Sequence, residues 1–161
     1  LAAHRFGLGE ANLATVGAQP ISKDNPHKGA TYGYPIITTY ANQSADLAYH
    51  QARMIYELLP EYIGAHPGND GFALSKQRLK WVMPYHEGAI RYFKEKGVWT
   101  ADAEKHNAAL IRRQEILHTA WDKALADASA QKVATKDFPK FWMKIRAAAL
   151  KEAWFDPYWE E

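Results

Sequence analysis

Seven histidines are the side chains of this sequence best suited to hold a metal or carry a proton near neutral pH. Their spacing works against a shared site. No HExxH occurs, so the helical pair that grips zinc from one face is missing. His106 and His118 stand twelve residues apart. On a helix that is about 1200°, or about a third of a turn out of register. His50, His66 and His86 fall in separate segments. The pattern predicts scattered histidines and no metal centre. Carboxylate pairs able to share acid–base work occur at Glu57/Glu61 and Asp102/Glu104. Glu57 and Glu61 share a helical face, but both read as solvent-facing. There is no GxSxG and no cysteine, so nucleophilic catalysis has no motif. Gly7-Leu8-Gly9 resembles half of a phosphate loop without its third glycine or preceding strand. The expectation is a protein that is not an enzyme and carries no cofactor.

Composition narrows the partners. The chain has 161 residues, enough to bury a core without covalent staples. Twenty Lys and Arg face 18 Asp and Glu, a net charge of +2. That balance, with the basic residues dispersed, predicts no nucleic-acid partner. No apolar run is long enough to span a bilayer. Aromatics make up 13% of the chain, which excludes disorder for most of it. The chain starts at Leu1, not at Met. It is therefore expected to be processed, or a piece of a longer protein.

The elements that would position these side chains follow from periodicity and punctuation. Residues 1–31 are interrupted by Gly7, Gly9, Gly17, Pro20, Pro26 and Gly29 and read as loop, with a short strand near Ala14–Ala18. Residues 32–40, YGYPIITTY, are the best strand candidate, with Pro35 at its start or on an edge. Ser44 can cap a helix to about Gly64. A short helix is expected over about 74–83 and another over Glu87–Lys96, with Gly97 as its left-handed terminator. Thr100 caps a long helix to about Ser129, whose apolar stripe is Ala103, Leu110, Leu117, Trp121 and Ala124. A last helix runs from Phe138 to about Trp154. Its stripe of Phe138, Trp142, Ile145 and Ala149 stands apart from Lys140, Lys144, Arg146 and Lys151. Such a face fits a membrane surface, the protein's own body or a partner chain. Trp142, Trp154 and Trp159 are the candidate partner contacts.

Two stretches, residues 30–68 and 81–122, carry a resemblance. The matching residues are Tyr32, Tyr34 and Pro35; then Ala45, Asp46, Leu47 and Tyr49; then His86, Gly88, Ala89, Arg91, Tyr92, Lys94, Glu95 and Gly97. Their order resembles the C-terminal half of TAXI-class solute-binding proteins, the periplasmic receptors of TRAP transporters. Glu87 stands where that class commonly has proline. Physically, Pro84 stops one helix, residues 85–88 turn the chain, and Ala89, Tyr92 and Phe93 pack the next. The segment thus reads as a docking module.

The resemblance implies an α/β fold, part of a two-lobe periplasmic-binding-protein-like body, with this chain mostly α-helical. Residues 1–97 would belong to the solute-binding body and 98–161 to a helical C-terminal extension. It implies periplasmic, non-catalytic capture of a small organic acid or amino acid, a dicarboxylate or acidic amino acid in particular. The partners it implies are TRAP transporter membrane subunits and an N-terminal lobe or another protein chain. Tyr32 and Tyr34 are the ligand-contact candidates. The competing expectation is an accessory or structural subunit of a larger assembly, membrane-associated or not, that uses the aromatic tail as contact surface.

Overall fold

The computed structural model describes residues 9–32, 36–153 and 155. Their elements are β1 (Gly9–Ala14), β2 (His27–Tyr32), α1 (Ala45–Glu57), α2 (Leu59–Tyr62), three short 3-10 turns (Ile63–Ala65, Pro67–Phe72 and Leu74–Lys76), α3 (Glu87–Glu95), α4 (Ala101–Ala130) and α5 (Phe138–Glu152). The described residues are mostly helical, with one two-stranded sheet. Two compact units result, Leu1–Glu104 and Lys105–Glu161.

Two strand expectations are corrected. β1 and β2 pair antiparallel, with Gly9 opposite Tyr32 and Ala14 opposite His27, inside the stretch expected to be loop. Residues 36–40 form no strand. Strand propensity is largely a preference for a pleated, half-buried surface, so a β-branched run without a neighbouring ladder need not become one. Here Ile36 and Ile37 are 46% and 49% exposed, and both line a cavity instead.

Two helices are shorter than expected, for local reasons. Ser44 caps α1 by accepting from the Leu47 N–H at 3.4 Å. The helix stops at Glu57 rather than Gly64, because Pro60 has no N–H to give the Tyr56 carbonyl and its ring would crowd that carbonyl in a continuing helix. The chain restarts as α2 with Pro60 in its first turn. The Tyr62 hydroxyl donates to the Ile55 carbonyl at 2.5 Å and ties α2 to α1. Over 74–83 only Leu74–Lys76 is helical, and then as a 3-10 turn. Gln77 leaves the helical region (ψ 136°), and its side-chain amide donates to the Gly71 and Ala73 carbonyls, each at 3.1 Å.

The terminators act as expected. Gly97 takes φ +69°, and the Val98 N–H reaches back to the Phe93 carbonyl at 3.0 Å, closing α3. Thr100 then accepts from the Ala103 N–H at 3.1 Å and starts α4. The far end of α4 repeats the device without glycine: Lys132 takes φ 54°, and Val133 donates to the Ala128 carbonyl at 2.9 Å.

In the first unit the core is aromatic. Tyr92 and Phe93 are each 1% exposed. Tyr56 stacks on Tyr92 at 5.7 Å, Tyr85 meets Phe93 edge-on at 5.3 Å, and Trp99 stacks on Phe93 at 6.3 Å. In the second unit the Trp121 ring meets Phe138 and Trp142 edge-on at 5.4 and 5.0 Å. The buried face of α4 is mostly small. It carries Ala103, Asn107, Ala120, Ala124 and Ala128, whereas Trp121 of the expected stripe is 39% exposed.

Candidate ligand-binding site

The site is built on the packing of α1 against α3. Gly88, at the start of α3, lets the helices come together. A Cβ there would lie 2.1 Å from the Ala45 carbonyl oxygen, 2.7 Å from the Tyr49 nitrogen and 2.9 Å from the Ala48 Cβ. Ala48 and Ala52 are the small buried residues that α1 brings to this contact. His86 fixes the register. Its Nδ1 accepts from the Gly88 N–H at 3.1 Å and so caps α3, while Nε2 donates to the Gln43 carbonyl at 3.2 Å.

Further along, Arg91 bonds Asp46 at 2.8 Å and lies 4.2 Å over the Tyr49 ring. The Tyr49 hydroxyl donates to Glu95 at 2.5 Å, and Lys96 bonds Glu57 at 3.1 Å. The partners ascend together in both helices, so α1 and α3 run in the same sense.

Three carboxylates of this unit are held below their ordinary range. Hydrogen bonds from Arg53 and Lys96 hold Glu57 below the usual carboxylate range. Those from Lys94 and Trp99 do the same for Glu104, and Lys76 does so for Asp70. A carboxyl more acidic in the folded chain contributes stability that is present above its unfolded pKa and lost as pH falls through the folded one. The melting midpoint is therefore expected to fall as pH drops from about 5 to about 3. Glu57→Gln should flatten that slope in a pH series of thermal melts; an unchanged slope would remove Glu57 from the account. These groups are exposed, so each contributes little at neutral pH.

Between these helices and the chain leading into them lies a cavity of about 250 Å³. The helices give it Ala48, Gln51, Ala52, Ile55 and Tyr56 from α1, and Ala89 and Phe93 from α3. The loops and 3-10 turns give Ile36 to Thr39, Gly71 and Phe72, Lys76 to Arg78, Trp81, and Met83 to His86. Burial, with some repulsion from Tyr85 and Tyr92, pushes the Tyr56 phenol far above its ordinary range, and burial pushes Tyr85 up as well. Both stay neutral at physiological pH. The Tyr85 hydroxyl donates to the Arg78 carbonyl at 3.1 Å, tying the 77–85 segment together.

The candidates named from sequence sit as follows. Tyr32 ends β2, opposite Gly9. Tyr34, Trp154 and Trp159 lie outside the described residues. Trp142 is half-buried on α5 against Trp121. His86 lines the cavity, whereas Arg91 is engaged with Asp46 and Tyr49. Sequence reasoning did not select Thr38, Thr39, Gln51, Lys76 or Arg78. The available signal was the run Ser75-Lys76-Gln77-Arg78, polar and basic between Phe72-Ala73-Leu74 and the apolar Trp81-Val82-Met83. Among the described residues no group of three His, Asp or Glu could hold a metal, and no helix is long and apolar enough to cross a membrane.

Residues 30–97 match the model of the NMT1-like family, a periplasmic substrate-binding family related to solute-binding proteins. The match covers less than half of the chain. No curated protein and no solved structure matches it. The matched stretch contains both helices of the α1–α3 contact and every described residue that lines the cavity. This chain is thus similar, over the segment that builds its cavity, to proteins whose business is solute binding outside the cytoplasm.

Proposed function

We propose that the chain is part of a TAXI-like receptor that captures a small organic anion in the periplasm and passes it to a TRAP-type transporter. The observation that supports this best is the coincidence of the cavity with the family-matched segment. The lining chemistry agrees with an anion. Lys76 and Arg78 line the cavity, and among its described lining residues there is no carboxylate. Thr38, Thr39 and Gln51 add uncharged hydrogen-bonding groups.

The mechanism is non-catalytic. A second lobe would close over the anion, and tighter binding to the closed state would trap it. Residues 1–97 form the binding body in this reading, and 98–161 form the extension. Tyr32 and Tyr34 enter as ligand contacts on the strength of the resemblance alone. Dicarboxylates and acidic amino acids are the ligands that the TAXI class suggests.

Thermal melts with a panel of organic anions test capture. A ligand that binds only the folded chain, at about a hundred times its Kd, adds about 2.7 kcal/mol. Anions should raise the midpoint and neutral sugars should not. Equal shifts from both classes would count against anion capture.

A second reading has its own observation. Leu47, Met54 and Leu58 lie within about 40° of one another around α1 and its end. They are 53%, 55% and 49% exposed. An apolar stripe of this kind suits a subunit contact. A stable complex with another chain that lacks any first lobe would favour the accessory-subunit reading over the receptor.

A further inference from the structure

The helical wall of the cavity is not uniformly apolar. At about 100° per residue, the α1 residues that line it span an arc of about 140°. Ala48, Ala52 and Ile55 fill the middle of that arc, and Gln51 and Tyr56 stand at its two borders. Each border thus carries a neutral hydrogen-bonding group. Tyr56 differs here from its neighbours. Tyr49, Tyr62 and Tyr85 each donate a hydroxyl to an oxygen of the chain. Among the described residues the Tyr56 hydroxyl has no hydrogen-bond partner, and neither has the Gln51 amide. The Tyr56 ring is nonetheless held in place, stacked on Tyr92 at 5.7 Å and tilted against Phe93 at 5.6 Å. A half-buried polar group that folding leaves without a partner gains from a ligand that supplies one.

Resting on the capture reading above, we propose that Tyr56 binds an uncharged oxygen of the ligand, with Gln51 as the second neutral contact, so that the cavity prefers a hydroxy acid to the same acid without its hydroxyl. The phenol can donate to such an oxygen, and the Gln51 amide can both donate and accept. A hydroxyl is satisfied by one or two neutral partners, so it enters at little cost. A carboxylate loses far more hydration and needs more donors than two neutral side chains give. The cationic side chains among the lining residues, Lys76 and Arg78, come from the 3-10 turn and the segment after it, not from the helices. An α-ammonium has no lone pair with which to accept from the phenol, so it gains nothing from Tyr56.

Calorimetric titration of the 161-residue chain at neutral pH tests this on two carbon frames, each as the plain, 2-hydroxy and 2-amino acid. The first is succinate, malate and aspartate; the second is glutarate, 2-hydroxyglutarate and glutamate. In at least one frame, one hand of the hydroxy acid should bind about tenfold more tightly than the plain acid. The amino acid should bind no more tightly than the plain acid. Tyr56→Phe keeps the ring and its stacking. It should cut the preference to about threefold or less and leave the plain acid within about twofold. Gln51→Met should lower the preference as well. Tyr49→Phe should leave it unchanged, because that hydroxyl bonds Glu95 and Tyr49 does not line the cavity. The comparison within a frame needs no variant, so it holds even if a variant fails to fold. Hydroxy acids that bind no more tightly than plain acids in both frames would overturn the proposal and leave capture standing. A preference that survives Tyr56→Phe would overturn the role of Tyr56. Binding by none of the six would overturn this proposal and the capture reading together.

Discussion

Gly88→Ala is expected to lower the thermal midpoint of the first unit by about 10–20 °C. Two effects oppose each other. Alanine is the better helix former by about 1 kcal/mol. Its methyl, however, would sit 2.1 Å from the Ala45 carbonyl oxygen and 2.7 Å from the Tyr49 nitrogen, both backbone atoms that no rotamer change can move. Relief requires α3 to slide or lift from α1. That would stretch the His86 bonds to Gln43 and Gly88 and loosen the packing on Ala48. Overpacking of this kind costs about 3 kcal/mol or more, so strain outweighs propensity. Gly64→Ala is the control, since a Cβ there meets nothing within 4 Å. It should leave the midpoint within about 2 °C. If both variants melt alike, the close approach of α1 and α3 is wrong.

Phe93→Ala should cost about 3–5 kcal/mol, measured by chemical denaturation. The ring is 1% exposed and contacts Tyr56, Tyr85 and Trp99, so its loss leaves a hole edged by aromatic rings that cannot collapse into it. The hole would also open into the ligand cavity, which Phe93 lines. Met54→Ala, at a side chain 55% exposed on α1, should cost less than about 1 kcal/mol. A cost below about 1 kcal/mol for Phe93→Ala would mean that the aromatic cluster is not the core.

Much of the helical frame was legible because it is written in local chemistry. Ser44, Thr100 and Gly97 each act within a few residues of themselves, and each does what its type suggests. The helix ends differ from expectation where a second local signal competes with the first. Pro60 ends α1 ahead of Gly64, and the Gln77 side chain diverts the chain from a helix over 74–83. The β1–β2 pairing depends on two segments meeting across a connection that contains Pro20 and Pro26, which no local window registers.

The site was harder to read for the same reason. Its lining joins Thr38 and Thr39 to Gln51, Arg78 and Phe93, residues with no common periodicity. Motif reasoning picked His86, Gly88 and Tyr92 for their place in a docking segment. In the structure these residues lie where α1 packs against α3, and the cavity forms beside them. The long polar side chains of the 75–78 run carry no motif, and only the fold shows that Lys76 and Arg78 reach the same cavity as Phe93.

The claim that this cavity captures an anion is tested most directly by a backbone-amide NMR titration of the chain with succinate and with glutamate. The account predicts saturable shifts at Thr38, Thr39, Gln51, Phe72, Gln77, Arg78 and Ala89, with residues of α5 unmoved. Shifts confined to residues outside the cavity, or none at millimolar ligand, would contradict it.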